Sequence, residues 1–375
     1  MDFDFSDDQK LLKNQARAFL SDQCTTSTVR RVFEGDEHFD SGLWRQICEL
    51  GWAGAAIPEQ YGGVGLGYLD LCVLAEEMGR ALAPVPFSST VYLFAEAILI
   101  AGSEQQKMRL LPKVASGEII GAFARAEGPG PVLPNSIHTQ FKGGKLNGRK
   151  IAVVDGPIAD FCVVLARASD EPGEAGLQLA LIDLHTAGVT RRPSAAIDAS
   201  RGFAEIAFEN AAAEPLGKIG EGWTDLGRVL DRAAVLIAFE QVGGADVCLA
   251  TAAEYAKTRY AFGRPIGSYQ AIKHKLADMY VLNELARSNA YYGAWALSTG
   301  SGELPLAAAA ARVSATQAFD YAAKESIQTH GGIGHTWAAD CHFFYKRSRE
   351  LGLLLGSQRT WKEKLVAHLE HANAT

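Results

Sequence analysis

One carboxylate lies on the apolar stripe of a long helical segment in the second half of the chain. The stripe consists of Leu226, Leu230, Ala233, Ile237, Glu240, Gly244 and Cys248. Residues three and four apart share one face of a helix, so we expect Glu240 to face the interior. A carboxylate in an apolar pocket becomes a stronger base, able to take a proton from carbon when it is close and dry. The alternative is a buried structural glutamate paired with an arginine or a helix terminus.

Three regions of the chain position this residue. Residues 1–117 have helical periodicity, broken by a loop rich in glycine and proline at residues 57–67. Short β-type runs separated by turn signals occupy residues 118–213, which predicts a small barrel or sandwich. The helical period then returns, with long segments near residues 223–260, 268–298, 304–330 and 346–371 that suit a helix bundle.

Composition narrows the function classes. The chain has 375 residues, of which 48% are hydrophobic and 21% charged, so it is not intrinsically disordered. A net charge of -7 argues against nucleic acid as the main partner. No apolar run approaches the roughly 20 residues of a membrane span, and the acidic start lacks the features of a signal peptide. We therefore expect a cytoplasmic protein without a membrane span.

The cysteines predict neither a disulfide framework nor a metal site. They are Cys24, Cys48, Cys72, Cys162, Cys248 and Cys341. No two of them form a Cys-x-x-Cys pair, and they are spread along the whole chain. We expect buried or half-buried free thiols.

Several segments, in order, resemble the acyl-CoA dehydrogenase family. The first is TRYAFGRPIG at residues 258–267, followed by Tyr269 and Gln270, and the second is QTHGGIG at residues 328–334. Two more, FEQVGGA at residues 239–245 and APVPF at residues 83–87, are similar to actinobacterial-type members that act on CoA thioesters of sterol side chains. The resemblance covers nearly the whole chain.

This resemblance implies both a fold and a reaction. The fold is multidomain α+β, with an N-terminal helical domain (1–117), a central β-barrel (118–213) and a C-terminal four-helix bundle (214–375). The reaction is α,β-desaturation of an acyl-CoA thioester, in which a carboxylate removes the α-proton while the β-hydride goes to flavin N5 of FAD. The implied electron acceptor is an electron-transfer flavoprotein or a similar protein.

The resemblance also implies which residues contact FAD. A guanidinium can hold the pyrophosphate with two hydrogen bonds, and glycines let the backbone approach the ADP part. The matching residues are Arg259, Phe262, Gln270, Gln328, Gly331 and Gly332. In the family they serve the flavin of the neighbouring subunit, which implies a homotetramer or an α2β2 tetramer with a related chain. The alternative is that Arg259 is a surface ion-pair partner and the glycines only end a helix.

The usual positions of the catalytic base carry alanine. A glutamate is expected a few residues after the glycine motif, where the chain has Ala338, or on the first bundle helix, where it has Ala233. Glu240 lies seven residues from Ala233, about 10 Å along a helix, and is our candidate for a displaced base. Asp340 and His335 are weaker candidates.

Other departures concern the flavin ring. Glu127 belongs to an Ala-Glu-Gly segment that lacks the family's threonine, and Ala152 and Val154 stand where an aromatic residue and a Thr or Ser are usual. Alanine at position 152 could make space for a bulky acyl group. The chain is thus either an acyl-CoA dehydrogenase with Glu240 as base or a silent subunit that completes a sister chain's FAD site. A flavin monooxygenase or oxidase on the same fold is a third reading.

Overall fold

The computed structural model describes residues 5–374, in which helices precede and follow the strands of one large sheet along the chain. The first four residues, which contribute to the predicted absence of a signal sequence, lie outside the described residues, as does Thr375. The N-terminal helices are α1 (Asp7–Gln23), α2 (Thr26–Glu34), α3 (Ser41–Glu49), α4 (Tyr68–Ala81), α5 (Glu96–Ala101) and α6 (Glu104–Ala115). A π-helical turn, Ser88–Ala95, leads into α5.

Local sequence signals set the start of two of these helices. Ser6 Oγ accepts a hydrogen bond from the backbone N–H of Gln9, whose side chain accepts one from the Ser6 N–H, so α1 begins with a capping box. Ser103 and Gln106 repeat the arrangement before α6. The reciprocal bonds satisfy backbone donors that a helix start leaves unpaired.

The central region is a mainly antiparallel sheet. Its strands are β1 (Gly121–Ala124), β2 (Gln140–Lys142), β3 (Lys145–Val154), β4 (Phe161–Arg167), β5 (Leu177–Asp183), β6 (Val189–Ser194), β7 (Phe203–Ala212) and β8 (Glu214–Leu216). They pair in the order β6-β7-β3-β2-β4-β5-β8, and β1 adds to β4 in parallel. Leu146, Cys162 and Ile206 contribute to its buried core.

The predicted closed barrel is not confirmed. Within the described chain, β6 and β8 end the pairing path and do not pair with each other. Each of these strands contains a proline, Pro193 in β6 and Pro215 in β8, and proline has no N–H to donate to another strand. The sheet is therefore open at both edges.

Long helices return after the sheet. They are α7 (Gly222–Thr258), α8 (Gln270–Ser298), α9 (Leu304–His330), α10 (Cys341–Leu354) and α11 (Gln358–Ala374). A hairpin of β9 (Tyr260–Ala261) and β10 (Arg264–Pro265) joins α7 to α8. The helical C-terminal region is confirmed. The helix predicted last is divided into two helices, α10 and α11, because the chain turns at Gly356, whose φ is +107°. Five helices therefore replace the expected four.

The chain divides into two compact units. The first, which we call the helical unit, combines the chain up to Val29 with Tyr68–Ala83 and everything from Ala234 onward. The second, which we call the sheet unit, combines Arg30–Gly67 with Pro84–Ala233. The division into 1–117, 118–213 and 214–375 stays a sequence-based prediction.

Two predictions about composition can be compared with the structure. All six cysteines are free and buried, as expected. In the described part of the chain, α7 alone is long and apolar enough to cross a membrane, and 78% of its most apolar window is buried inside the protein. The core helix of a bundle has the same composition.

Candidate active site and cofactor edge

Glu240 lies in the middle of α7, inside the helical unit. Its side chain is 2% exposed, and Oε1 is 3.4 Å from Nη1 of Arg347 on α10, a side chain that is 1% exposed. Burial was predicted from the apolar stripe. Pairing with an arginine is what the alternative interpretation, a buried structural glutamate, predicted. The sequence did not identify which arginine it would be.

The glycines after Glu240 allow α7 to approach α4 closely. A Cβ on Gly243 would be 2.0 Å from the carbonyl oxygen of Glu76, and one on Gly79 would be 1.9 Å from the carbonyl oxygen of Glu240. Any side chain at either position would collide with backbone. Within this unit, Gly79 and Gly243 therefore serve the close approach of two helices.

Polar contacts beside Glu240 join α7 to α9 and α10. Nη1 of Arg312 donates to Oε1 of Gln241 over 2.8 Å, and Nη2 of Arg312 donates to the carbonyl oxygen of Leu351. Arg312 is 1% exposed. Hydrogen bonding of this kind holds a buried guanidinium, and with it the register of the three helices.

The two alanines at the usual base positions have different surroundings. Ala233 is fully buried in α7, whereas Ala338 is exposed in the segment between α9 and α10. Asp340, half-buried, directly precedes α10, and His335 is exposed. Ala338 and Asp340 line the same cavity of the helical unit.

The hairpin after α7 presents Arg259 and Phe262 at the surface. The N–H of Arg259 donates to the carbonyl oxygen of Tyr255, and its own carbonyl accepts from Ile266, while its side chain is exposed. Phe262 and Gly263 form a two-residue turn with φ of 51° and 79°. Phe262 is 97% exposed. A phenylalanine in the left-handed region is strained, so the turn holds this ring outward at a cost.

The second predicted segment lies at the end of α9, close to the end of α7. The rings of Tyr255 and His330 are stacked with centroids 4.4 Å apart, one turn before Arg259 and one residue before Gly331. Lys275 near the start of α8 forms a 2.7 Å ion pair with Glu325 of α9. The ends of α7 and α9 and the start of α8 thus share one end of the helical unit.

We call the six predicted cofactor residues at this end the cofactor edge. Their side chains or backbones are open: Gln270 and Gln328 are exposed, and a Cβ on Gly331 or Gly332 would meet nothing within 4 Å. Gly331 also has a φ of +64°, which favours glycine. One cation, two amides, an outward ring and bare backbone are groups that suit a dinucleotide, so the residues fit FAD.

The sheet unit contains the residues expected near the flavin ring. Glu127 accepts hydrogen bonds from Lys150 and from the N–H groups of His138 and Thr139. Burial opposes ionisation of Glu127, yet the Lys150 ammonium and both N–H donors hold the pKa of this carboxyl below its usual value. Burial lowers the pKa of Lys150 to about 8, although Glu127 favours the charged form. The ion pair of Glu127 and Lys150 therefore stabilises the interior of the sheet unit.

Ala152 lies in a bulge of β3. Its φ is 51°, and the pairing of β3 with β7 shifts register between Lys150 and Val153. A bulge re-aims the strand and its side chains. The small side chain therefore stands at an irregular point of the sheet rather than in a regular strand, which the sequence did not reveal.

Known proteins resemble this chain over almost its full length. Models of the acyl-CoA dehydrogenase N-terminal domain and C-terminal domain match residues 6–118 and 220–368. "Acyl-CoA dehydrogenase IpdE2" of Mycobacterium tuberculosis is 34% identical over 364 residues, which is 97% of this chain and 98% of that protein. These matches define the class of protein: an oxidoreductase that acts on acyl-CoA and binds FAD.

Solved structures agree with this class. Butyryl-CoA dehydrogenase from Megasphaera elsdenii superposes with a TM-score of 0.91 at 26% identity, covering 98% of this chain and 100% of that one. A variant of the Tcur3481-Tcur3483 steroid ACAD superposes with a TM-score of 0.88 at 29% identity, covering 98% and 99%. The chain belongs to the acyl-CoA dehydrogenase family.

Proposed function

We propose that this chain desaturates a bulky acyl-CoA thioester between its α and β carbons, with Glu240 as the proton acceptor. The observation that carries the proposal is the burial of this one carboxylate on the apolar stripe of α7. FAD, when bound, supplies the acceptor for the two electrons that leave the β carbon as hydride. Glu240 would take the α-proton onto its carboxylate.

The surroundings of Glu240 support a fixed orientation. The close crossing at Gly79 and Gly243 holds the α7 backbone against α4, and Arg347 compensates the charge of the buried carboxylate. Removal of a proton next to a thioester needs a base that is aligned and shielded from water. Burial of this helix segment would provide the shielding, and the close helix crossing would hold the carboxylate in one orientation.

The cofactor edge supports binding of FAD between subunits. Arg259 would hold the pyrophosphate, Gln270 and Gln328 would contact the cofactor, and bare backbone at Gly331 and Gly332 would lie against the ADP part. Phe262 would pack beside the adenosine. All six residues are open at the surface of one chain, as expected if a second subunit completes the site.

A second candidate function has its own observation. The contact between Glu240 and Arg347, together with alanine at positions 233 and 338, favours a subunit without chemistry that completes the FAD site of a related chain. Such a pair of chains would form an α2β2 tetramer. Two named components occur in the Tcur3481-Tcur3483 steroid ACAD, which supports a heteromeric assembly.

Substrate and acceptor follow from the same similarities. The name of that steroid ACAD and the small residue at Ala152 support a fused-ring acyl group, of sterol side-chain or ring origin. A structure from work on the electron transferring flavoprotein of Acidaminococcus fermentans superposes at 28% identity with a TM-score of 0.91, which supports an electron-transfer flavoprotein as partner. We propose the cytoplasm as the site of action.

The visible spectrum tests the proposal. The chain is expressed alone and together with a related subunit, and flavin absorbance is recorded before and after a bulky acyl-CoA is added. Flavin that bleaches on addition of the thioester supports dehydrogenation. Flavin that appears only on co-expression supports a heteromer. Oxygen consumption tied to substrate would point to an oxidase or monooxygenase, and a colourless protein in both preparations would contradict both functions.

A further inference from the structure

The helical unit contains a cavity that the proposed chemistry does not use. Its volume is about 710 Å³, and every residue that lines it belongs to this one unit. Most of the wall is apolar, with Leu20 of α1, Val247 of α7 and Phe344 of α10 among the lining side chains. Cavities of about 300–1,000 Å³ with apolar walls and a few polar groups are typical of small-molecule sites.

A series of alternating charges ends at this cavity. Its members, in order of contact, are Lys13, Glu76, Arg287, Asp246, Arg80, Glu77 and Arg17. The contacts within the series include 2.7 Å for the first pair and 2.7 Å for the last. Both ends are cations, so the series carries one positive charge more than its carboxylates balance.

Glu284 adds little negative charge to this series. It lies 3.6 Å from Arg287 but is 47% exposed, so solvent and salt screen its charge. Arg17, Glu77 and Arg80 all line the cavity, and so does Asp340, which places two guanidinium groups and two carboxylates on its wall. The group of Arg17, Glu77 and Arg80 therefore carries one positive charge.

One guanidinium donor on that wall lacks an acceptor. Over the described residues, Nε of Arg80 is buried and makes no hydrogen bond, and Oε2 of Glu77 lies 3.6 Å from it. Buried donors are nearly always satisfied, and a carboxylate is the acceptor that a guanidinium binds most strongly. Nε itself has almost no accessible surface, so a ligand would meet the rest of the Arg80 side chain, which is 26% exposed.

The other polar residues of the cavity give a ligand one orientation. Asp340 lines the cavity from the start of α10 and would repel a carboxylate, while His330 uses Nδ1 for the carbonyl oxygen of Ser326 at 2.7 Å. A carboxylate would therefore settle toward Arg80 and toward Arg17, whose Nε and Nη2 already donate to the two carboxylate oxygens of Glu77. The apolar remainder of the ligand would fill the space between the helices.

We propose that this cavity binds a bulky apolar molecule that carries one carboxylate, with the carboxylate held by Arg17 and Arg80. The inference needs neither flavin nor a thioester, so it stands apart from the proposed function. The protein should therefore bind a molecule that ends in a carboxylate more tightly than one that has a neutral end group on the same carbon skeleton.

The test uses two fluorescent probes, pyrenebutyrate and pyrenebutanol, titrated into the full-length protein. We expect pyrenebutyrate to bind at one site at least about tenfold more tightly, because a charge-assisted hydrogen bond is replaced by a neutral one. Equal affinity of the two probes for the unmodified protein, or no binding of either, would overturn the proposal. This comparison requires no variant to fold.

Variants locate the site. Arg17→Met should reduce the preference to within about threefold, whereas Arg45→Met, which removes an arginine that is 75% exposed in the sheet unit, should leave it unchanged. Thr251→Trp, at an exposed residue that lines the cavity, should weaken both probes by at least about tenfold because the indole fills the space. Binding that survives Thr251→Trp would place the probes elsewhere and refute the assignment.

Discussion

Nη1 of Arg347 and Oε1 of Glu240 lie 3.4 Å apart, with 1% and 2% of their side chains exposed. The pair joins α7 to α10 inside the helical unit. Burial of two charges is costly, and only their mutual contact and further hydrogen bonds offset it. Both the stability of the helical unit and its proposed chemistry therefore depend on the Glu240 side chain.

Loss of Arg347 should destabilise the protein strongly. Arg347→Met removes the cation that contacts two buried carboxylates, Glu240 and Glu350, so we expect a loss of about 3–5 kcal/mol in the free energy of unfolding. Arg347→Met combined with Glu240→Leu should recover part of that loss. Urea unfolding measures both, and Arg349→Met, at a side chain that is 39% exposed, should cost less than about 1 kcal/mol. Equal effects of the two single variants would contradict this account.

The helix crossing should not tolerate a methyl group. Gly243→Ala places a Cβ 2.0 Å from a backbone oxygen, so we expect a loss of at least about 2 kcal/mol. Gly227→Ala on the same helix meets nothing within 4 Å and should stabilise by up to about 1 kcal/mol. Thermal unfolding compares them. If Gly243→Ala unfolds no earlier than Gly227→Ala, the close crossing is wrong.

Acid should weaken the ion series at Glu76. Burial opposes its ionisation, but Lys13 and Arg287 hold the pKa of Glu76 below its usual value. The ionised pair therefore adds stability above the unfolded pKa, about 4.3, and loses it as pH falls through the lower folded pKa. The advantage of the unmodified protein over Glu76→Gln should be full at pH 7 and shrink below about pH 4.3. A difference in urea midpoint that stays constant down to acid pH would show that Glu76 does not contribute in this way, and Glu363→Gln, 63% exposed, serves as control.

The cofactor edge should matter for flavin and not for folding. Arg259→Met removes an exposed cation, so stability should change by less than about 0.5 kcal/mol. Flavin content of the assembled protein should fall by at least about tenfold, because a bidentate phosphate contact is lost. Lys257→Met, 73% exposed near the same helix end, should retain its flavin. Visible absorbance of the purified variants measures their flavin content. If Arg259→Met keeps its full flavin content, Arg259 does not bind the cofactor.

Local signals predicted much of the fold. Helical periodicity gave most helices, and the order of segments gave the family. The open sheet escaped prediction because strand closure depends on pairing across the chain. The split after α10 was missed although Gly356, with a φ of +107°, is a local signal that ends a helix. Periodicity placed Glu240 in the interior, yet it could not identify Arg347, since a partner 107 residues away is fixed by helix packing.

Reduction of bound flavin by a bulky acyl-CoA, followed in a single turnover, tests the role of Glu240 most directly. The assembled protein carries Glu240→Gln, with Glu284→Gln, 47% exposed on α8, as the matched control. The account predicts that Glu240→Gln keeps its flavin and bleaches at least about 100-fold more slowly, since a general base contributes that much or more. Bleaching of Glu240→Gln at the rate of the control would contradict it and leave the supporting subunit as the role of this chain.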